Sequence, residues 1–396
     1  MATLFYAPRF TPVDAQGDPY PGATLTFYAA GTTTPQPVYS TAALVTPLTN
    51  PVVANAAGSF EPIFLDQSVS YRVILRDASN VTLFDIDRVS NALTAAEIGA
   101  VLYPRSAGEI SANVTPTDYQ YKPNDIRRYG AVGNGSTDCA AAIQSAVNVA
   151  IAGTRQVYIP GASSEYRINS DIEITGSVSI LGEGQRASRI LCVGCNGFTV
   201  SAGVASVKFD SIRIAQSVRH TTTPNTYVAI DVQGTTASPC DWHEYNNLLI
   251  DGFETPFSAA GVHQSVWNNC VTVFGKHGII AEQLTVNNRV IACLFSGSGA
   301  NSYGIKIGDN LSAAEGWTIG GGTLLYGFSR GVWAHGAANC LVSNCYIDFF
   351  TEYGILLNGT AQASNNWDIS GHYIAATGTA ANGIYLPNAS PPSQQR

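Results

Sequence analysis

The sequence predicts an all-β protein with a small N-terminal β domain, a short helical neck and a parallel β-solenoid. Short runs of alternating apolar residues, separated by Pro, Gly and Asn, fill residues 1–90. Helical periodicity is nearly absent after residue 150. Two short phrases recur through the C-terminal half, the first at spacings of 22 to 30 residues. Repeats of this length that contain strands and no helices are typical of a solenoid.

The composition excludes several classes of protein. The 396 residues carry a net charge of −8, and only 12% are charged. A nucleic-acid-binding protein would carry a basic face. No apolar run reaches the roughly 18 residues of a membrane span, and the start "MATLFYAPRF" lacks the pattern of a secretory signal. We therefore expect a protein made in a cytoplasm, with no nucleic-acid partner and no membrane insertion.

The eight cysteines do not indicate a metal site. Cys192 and Cys195 form a lone CxxC pair, without a second pair or nearby histidines. Reduced cysteines also act as small buried hydrophobic residues. We expect the latter here, and we expect neither a metal nor a cofactor.

The strands of the first domain are predicted at "ATLTFYAA", "PIFLD", "SYRVILRD" and "VTLFDID", between Ala23 and Asp87. Residues 91–125 differ from them. Thr94 with Glu97, and Ser106 with Glu109, each fit a capping box at the start of a short helix. The stretch "TPTDYQYKPND" then predicts an extended linker.

The stretch "YGAVGNGSTDCAAAIQSAV" (129–147) has three glycines before a predicted helix. A phosphate-binding loop would need a surrounding alternation of strands and helices, which the sequence lacks. We interpret the glycines as a turn, with Thr137 or Asp138 capping the helix. Its apolar face covers the first coil, because the end of a solenoid exposes core and strand edge. That face comprises Ile143, Ala146, Val147 and Ala150.

The first repeated phrase aligns "NNLLI", "NNCVT", "IACLF", "GGTLL", "SNCYI" and "SGHYI" without gaps. One column needs left-handed backbone angles at a bend, which Asn and Gly tolerate best. It comprises Asn247, Asn269, Ala292, Gly322, Asn344 and Gly371. Two inward columns follow. They contain Leu248, Cys270, Cys293, Thr323, Cys345 and His372, then Ile250, Thr272, Phe295, Leu325, Ile347 and Ile374.

The second phrase recurs as "GII", "GIK", "GVW", "GIL" and "GIY". Its inward column comprises Ile279, Ile305, Val332, Ile355 and Ile384. The alternate, outward column comprises Ile280, Lys306, Trp333, Leu356 and Tyr385. A solvated face should be polar, so this apolar stripe indicates a contact surface. It is either a subunit interface, which we favour, or a platform for sugar rings.

Carboxylates one coil apart are the candidates for hydrolytic chemistry. Glycoside hydrolysis uses two carboxyl groups about 5–9.5 Å apart, and adjacent coils are separated by about 4.8 Å. Glu282 and Asp309 follow the second phrase in successive coils, and Glu315 lies in the next loop near Trp317. Solvated acids are also normal at solenoid turns, so a structural role remains the alternative.

The stretch "DIRRYGAVGNGSTDCAAAIQSAV" resembles the N-terminal signature of the pectate-lyase-like right-handed parallel β-helix superfamily. Asn134 and Cys139 stand where that signature commonly has aspartates. Residues 1–90, with "GATLTFYAAGT", "NPVVANAAGSF" and "SYRVILRD", resemble the head-binding domain of short-tailed-phage tailspikes. The two resemblances together cover most of the chain.

The resemblance implies a phage virion tailspike that is made in the host bacterial cytoplasm and assembles as a homotrimer. Residues 1–90 would bind a phage tail or connector protein, residues 91–125 would form the neck, and residues 126–390 the right-handed β-helix, followed by a tail at 391–396. The β-helix would engage host surface polysaccharide.

Tailspikes of this type often cleave the polysaccharide that they bind, so the resemblance leaves two functions open. One is attachment without catalysis; the other is an endoglycosidase that depolymerises capsule or O-antigen. The few residues after the last coil favour attachment, since catalytic spikes often carry a further β domain. The candidate catalytic residues are Glu282, Asp309 and Glu315. The candidate sugar-binding residues are Trp317, Trp333 and His335.

Overall fold

The computed structural model describes residues 2–4, 10–89, 99, 101–359, 362, 364–377 and 381–386. The chain divides into two compact units, Met1–Ile98 and Gly99–Arg396. Strands dominate both units and helices are few, so the predicted all-β class is confirmed. No helix in the described ranges has the length and apolar character needed to cross a membrane.

The first unit contains an antiparallel four-stranded sheet in the order Val52–Val53, Thr24–Ala29, Tyr71–Arg76 and Thr82–Val89. A second antiparallel pair joins Ala2–Leu4 to Phe64–Asp66. All four predicted strands are therefore present. Their inward side chains form a separate core around Leu25, Phe27, Phe60, Tyr71 and Val73.

The described part of residues 99–125, which we predicted as neck and linker, belongs to the second unit. The helix Ala107–Ser111 begins with the predicted capping box, in which Ser106 and Glu109 exchange hydrogen bonds between side chain and backbone. The other predicted box, at Thr94 and Glu97, lies outside the described residues, as does the predicted tail at 391–396.

The glycine-rich stretch forms a turn and an end cap, as predicted. A 3-10 helix, Ile126–Tyr129, ends at Gly130 with φ 97°. The α-helix Ala140–Val149 follows and continues as a π-helical turn, Ala150–Thr154. The predicted apolar face of the helix is buried. Its N-cap is Cys139, one residue later than predicted, although the Asp138 carboxylate accepts a hydrogen bond from the Ala140 N–H (3.0 Å).

The rest of the second unit is a parallel β-helix of three nine-stranded sheets. Sheet 1 contains Gln156–Ile159, Ser179–Gly182, Lys208–Asp210, Glu244–Asn246, Val266–Asn268, Arg289–Ile291, Thr318–Gly320, Cys340–Ser343 and Trp367–Ser370. Sheet 2 contains Tyr166–Ile168, Arg189–Cys192, Arg213–Gln216, Leu249–Asp251, Val271–Gly275, Leu294–Gly297, Leu324–Tyr326, Tyr346–Phe350 and Tyr373–Ala376. Sheet 3 contains Ile172–Ile174, Phe198–Val200, Val228–Gln233, Thr255–Ala260, Ile279–Ala281, Tyr303–Ile307, Arg330–His335, Tyr353–Asn358 and Asn382–Tyr385. Two short parallel pairs join Cys240–Asp241 to Val262–His263 and Ala314–Glu315 to Ala337–Ala338.

The register of the strands confirms both repeated phrases. In sheet 2 the column from Ile250 to Ile374 pairs in the predicted order. In sheet 3 the column from Ile279 to Ile384 does the same. The six bend residues between sheets 1 and 2 all have positive φ, from 52° to 83°. The prediction of left-handed angles in that column is therefore confirmed.

The interior of the β-helix is apolar and aromatic. Phe209, Tyr245, Trp267 and Trp317 stack in series, with ring centroids 6.0, 5.0 and 5.7 Å apart. All eight cysteines are buried and unpaired, as the sequence predicts. Among the predicted inward residues, His372 and Ile374 are only half-buried, and Ile384 is exposed. Ile384 is 46% exposed, because it lies in the last described strand of sheet 3.

Candidate functional site

The outer face of sheet 3 brings several of the predicted site residues together. In-register pairing places the outward column from Ile280 to Tyr385 in line, one residue per coil. The alternate side chains, Ile279, Ile305 and Val332, are fully buried. The pleat of the strands therefore separates a core side from a surface side, as expected for period-two alternation.

Four rings form a continuous aromatic cluster across three successive coils of this face. His277 stacks on Tyr303, with centroids 4.9 Å apart. Tyr303 contacts Trp333 at 4.8 Å, and Trp333 stacks on His335 at 4.9 Å. The Trp333 indole N–H donates to Asn358 Oδ1 (2.6 Å), which fixes the ring. Tyr303, Trp333 and His335 are half-buried, so part of each ring reaches the surface. We refer to His277, Tyr303, Trp333 and His335 as the sheet 3 cluster.

Cations surround the sheet 3 cluster. The Arg330 guanidinium lies 4.9 Å from the Trp333 ring centroid and 5.5 Å from that of Tyr303. The Lys306 ammonium lies 5.2 Å from the Trp333 centroid. These distances fall within the range of cation–π contacts. The cluster therefore combines apolar ring faces with fixed positive charge.

Each cation has a carboxylate partner. Lys306 Nζ lies 2.5 Å from Glu282 Oε1, and Arg330 Nη2 lies 2.8 Å from Glu352 Oε2. Lys306 lies in the middle of an apolar stripe, where a buried charge needs a partner, and Glu282 is that partner. Both pairs line the surface with hydrogen-bond donors and acceptors.

Asp309 acts as a turn residue. Its Oδ1 accepts hydrogen bonds from the N–H groups of Leu311 and Ser312 (both 2.8 Å), and its Oδ2 accepts one from Gln283 (3.2 Å). Burial raises the pKa of this carboxyl, but the backbone N–H groups outweigh burial and hold the pKa below its ordinary value. The Asp309 carboxylate is therefore held ionised.

His335 is neutral at pH 7. Burial lowers its pKa and the nearby Lys306 lowers it further, while Asp309 and Glu282 act in the opposite direction with less effect. A neutral imidazole has one donor and one acceptor nitrogen. His335 can therefore hydrogen-bond a hydroxyl group in either role.

Two predicted site residues lie away from the sheet 3 cluster. Glu315 is exposed on the short strand Ala314–Glu315, outside the three main sheets. Trp317 is fully buried, stacks on Trp267, and donates its N–H to Thr285 Oγ1 (3.1 Å). The prediction that Trp317 binds sugar is wrong for this structure, because its ring has no surface to offer.

A second outward column, whose members are not among the predicted site residues, contains Tyr303, Arg330 and Tyr353. Each of these residues directly precedes the glycine of the second phrase in its own coil, and His277 has the same position in the preceding coil. That position recurs with the period of the phrase, so the repeat predicts the column.

Within the described parts of the chain, no group of three or more His, Cys, Asp or Glu side chains is placed to hold a metal ion. The polar groups at the sheet 3 cluster are its ring nitrogens and the two neighbouring ion pairs. This arrangement is suited to a ligand that has both polar groups and an apolar face.

No family model and no curated protein matches the chain. Solved structures similar to it include a phage tailspike protein, a viral protein and an enzyme with a tailspike-like parallel β-helix. WceF of Pantoea stewartii, a glycan biofilm modifying enzyme with a tailspike-like fold, is 13% identical, with 93% of this chain and 64% of that chain covered and a TM-score of 0.42. ORF18 of Geobacillus virus E2 is 15% identical, with 77% and 66% covered and a TM-score of 0.39.

The enzymatically active domain of tailspike protein 2 of bacteriophage CBA120 is 14% identical, with 63% of this chain and 42% of that chain covered and a TM-score of 0.37. The chain thus spans less than two thirds of the length of these three structures. At these identities the likeness concerns the fold alone.

Proposed function

We propose that the chain is a phage virion spike that binds polysaccharide on the surface of a bacterial host. Residues 1–90 attach it to a tail or connector protein, and the chain assembles as a homotrimer. The resemblance of residues 1–90 to head-binding domains supports attachment. One observation carries the binding role: three rings of the sheet 3 cluster are half-exposed, and the pairs Lys306–Glu282 and Arg330–Glu352 border the cluster.

A carbohydrate fits this surface for two reasons. Sugar rings have an apolar C–H face that packs on aromatic rings such as Trp333, and hydroxyl groups that need fixed donors and acceptors. Sites for such ligands combine aromatic walls with a few placed polar groups. The columns of sheet 3 also repeat from coil to coil at about 4.8 Å, so a linear polymer can contact several coils at once.

The contacts of Asp309 and Glu282 favour binding over hydrolysis. A general acid that works at neutral pH needs a raised pKa, and the pKa of Asp309 is lowered. Glu282 is held by Lys306. The Asp309 carboxyl group therefore lacks the raised pKa that a general acid needs.

A binding assay on purified capsular polysaccharides and O-antigens tests the proposal. Trp333→Ala should weaken binding roughly tenfold or more, which corresponds to losing about 1.4 kcal/mol or more. Trp242→Ala is the matched control, since Trp242 is an exposed tryptophan (58%) outside the sheet 3 cluster. Equal affinities of wild type and Trp333→Ala would overturn the assignment of the site.

The same preparation distinguishes attachment from depolymerisation. Incubation of the wild-type chain with the polysaccharide should release no oligosaccharides. Release that Glu282→Gln abolishes would establish the endoglycosidase alternative and make Glu282 a catalytic residue.

The trimer contact that we propose lies on sheet 2. Its outward column contains Leu249, Val271, Leu294, Leu324, Tyr346 and Tyr373 in register, which we call the sheet 2 apolar face. Tyr346 and Tyr373 are 54% and 55% exposed. In the predicted stripe on sheet 3, by contrast, Leu356 is only 5% exposed within a single chain. The sheet 2 apolar face therefore has more apolar area to bury against a second copy of the chain.

The oligomeric state separates the two surfaces. The double variant Tyr346→Asp/Tyr373→Asp should sediment as a monomer with unchanged β content, because burying each large apolar side chain contributes about 1.5–3 kcal/mol. Trp333→Ala should remain a trimer. If the double variant is still a trimer, or if Trp333→Ala is a monomer, the interface lies on sheet 3 instead.

A further inference from the structure

Two cysteines lie in contact at the turn between sheets 2 and 3 in the second coil of the β-helix. Cys192 ends the strand Arg189–Cys192, and Cys195 precedes the strand Phe198–Val200. Gly194, between the two cysteines, has φ 69°, which allows the chain to turn sharply. The Cys192 thiol donates a hydrogen bond to the Cys195 sulfur. The two sulfur atoms are therefore neighbours, although both thiols are free.

A cavity of about 460 Å³ lies against this turn. Gly194, Gln216 and the segment 223–227 form part of its wall, and Gln216 Nε2 donates to the Cys195 carbonyl oxygen (2.5 Å). The volume falls in the range of small-molecule sites, about 300–1,000 Å³. Cys195 is 7% exposed, whereas the other seven cysteines are at most 3% exposed. A small reagent in the cavity therefore lies beside the turn that carries the most accessible thiol of the chain.

The two thiols differ in acidity. Burial raises the pKa of Cys192 well above its ordinary value, and the hydrogen bond that Cys192 donates raises it further. The same hydrogen bond lowers the pKa of Cys195 and outweighs burial, which acts in the opposite direction. The Cys195 thiol also donates a weak bond to the Ile168 carbonyl oxygen (3.5 Å), which is lost when the thiolate forms. Because the thiolate is the nucleophilic form, Cys195 is suited to attack first.

We propose that Cys192 and Cys195 form a disulfide bond when the folded chain meets a low-molecular-weight disulfide such as glutathione disulfide. Cys195 Sγ attacks one sulfur of the reagent, and the first glutathione leaves as a thiolate. Cys192 then loses its proton and attacks Cys195 Sγ in the mixed disulfide, and the second glutathione leaves as a thiolate. The two glutathione thiolates take up the two protons, so two protein thiols are oxidised and one disulfide is reduced. This modification goes beyond the proposed function and involves no residue of the sheet 3 cluster.

Cys270 and Cys293 are a control pair within the same chain. They follow the bend between sheets 1 and 2 in adjacent coils, and the Cys270 thiol donates a hydrogen bond to the Cys293 sulfur. They are 0% and 2% exposed, and neither lines the cavity beside Gly194. Both pairs thus have neighbouring sulfur atoms, but this cavity borders only the turn that carries Cys192 and Cys195. The control pair should therefore stay reduced while the first pair reacts.

Timed oxidation of the reduced full chain with glutathione disulfide at neutral pH tests the proposal. Samples are alkylated with iodoacetamide, digested with trypsin and analysed by mass spectrometry, while circular dichroism confirms that the chain stays folded. Trypsin cuts after Arg189 and Lys208, so one peptide, 190–208, carries both Cys192 and Cys195. These two thiols should lose their reactivity at least about tenfold faster than Cys270 and Cys293. Equal rates for the two pairs, or an unreactive first pair in the folded chain, would overturn the proposal.

Three variants assign the roles of the two thiols and of the cavity. Cys192→Ser should stop at the mixed disulfide, with one glutathione attached to Cys195, because no second thiol displaces it. Cys195→Ser should leave Cys192 unmodified. Thr226→Trp changes an exposed residue that lines the cavity, keeps both thiols, and should slow the wild-type reaction about tenfold. Absence of the adduct in Cys192→Ser, modification of Cys192 at the wild-type rate in Cys195→Ser, or an unchanged rate in Thr226→Trp would overturn the proposal.

Discussion

The bend between sheets 1 and 2 depends on single residues with left-handed backbone angles. Asn269 has φ 52°, and its side-chain N–H donates to Asn247 Oδ1 (2.8 Å) in the preceding coil. Ala292 occupies the next bend with φ 53°. A left-handed angle costs an L-residue roughly 1–2 kcal/mol, and Asn tolerates it better than most residues. Asn269 and Ala292 therefore occupy equivalent positions, but Asn tolerates the left-handed angle better than Ala.

Substitutions at these two positions should change stability in opposite directions. Asn269→Val should lower the free energy of unfolding by about 1–2 kcal/mol, because a β-branched residue resists this angle and the Asn247 hydrogen bond is lost. Ala292→Asn should raise it by up to about 1 kcal/mol. Chemical denaturation of both variants measures the difference. Destabilisation by Ala292→Asn would show that the backbone angle does not determine how these substitutions change the free energy of unfolding.

His277 makes stability depend on pH. Burial lowers its pKa to about 3, and the positive charges of Lys276, His220 and Lys306 act in the same direction. The unfolded chain takes up this proton below about pH 6.5, while the folded chain takes it up only near pH 3. The stabilisation is therefore complete above about pH 6.5 and is lost progressively as the pH falls toward 3.

His277→Asn should flatten this pH dependence. His277 Nδ1 accepts the Tyr303 N–H (3.2 Å), and the Asn side-chain oxygen can accept the same bond without binding a proton. Denaturation at pH 7 and pH 5 should show a smaller loss of stability in the variant than in wild type. Equal losses would assign the acid sensitivity to other groups, such as His243, whose pKa burial also lowers.

At the scale of secondary-structure elements, the glycines of the second phrase allow adjacent coils to approach each other. A Cβ at Gly304 would lie 2.5 Å from the Gly331 carbonyl oxygen, which is backbone and cannot move aside. A Cβ at Gly383, in the last described strand, would have its nearest neighbour at 3.8 Å, an ordinary contact. The two glycines occupy the same column but differ in their surroundings.

Alanine at these two glycines should give different results. Gly304→Ala should destabilise the β-helix by roughly 1–3 kcal/mol or more, the usual cost of overpacking. Gly383→Ala should be nearly neutral and serves as the matched control. Thermal unfolding of the two variants measures the contrast. Similar melting temperatures would mean that the coils are less closely spaced than the structure indicates.

The sequence predicts the inward columns and the bend residues individually, because a repeat determines the register of the strands. The burial of Trp317 is not predicted, because this residue lies outside the two phrases; it precedes the strand Thr318–Gly320 and alternates inward with Ile319. The ion pairs of Asp251 with Arg213 and Arg219 were not predicted, since both arginines precede the first detected phrase. Arg219 also lies in a loop, whose path no period determines.

At the scale of the whole molecule, a buried ion pair joins residues 99–125 to the β-helix. Glu109 and Arg128 are fully buried, and Arg128 donates to both Glu109 oxygens (2.5 and 3.1 Å). Tyr129 Oη contacts the same carboxylate (3.0 Å). Burial raises the pKa of Glu109, but Arg128 and the Ser106 N–H outweigh it and hold the pKa low. Removal of one partner from such a pair costs about 3–5 kcal/mol.

The position of a truncation should therefore decide whether the β-helix survives. A chain that begins at Gly99 keeps Glu109 and should unfold at nearly the wild-type temperature of the β-helix. A chain that begins at Asp125 leaves Arg128 without its carboxylate and should be less stable by about 3–5 kcal/mol. Glu109→Gln in the full chain is the matched variant and should show a similar loss. Equal stability of the two truncated chains would mean that residues 99–124 are dispensable for the fold.

The same truncation tests the role that we propose for residues 1–90. The chain from Gly99 retains the sheet 3 cluster and should bind polysaccharide with wild-type affinity. It should nevertheless be absent from phage particles that are assembled in its presence, because the region that resembles a head-binding domain is missing. Immunoblots of purified particles, with the full chain as the positive control, measure incorporation. Incorporation of the truncated chain at the level of the full chain would place virion attachment in the second unit, and would leave the compact core around Phe27 and Tyr71 without the function that we propose for it.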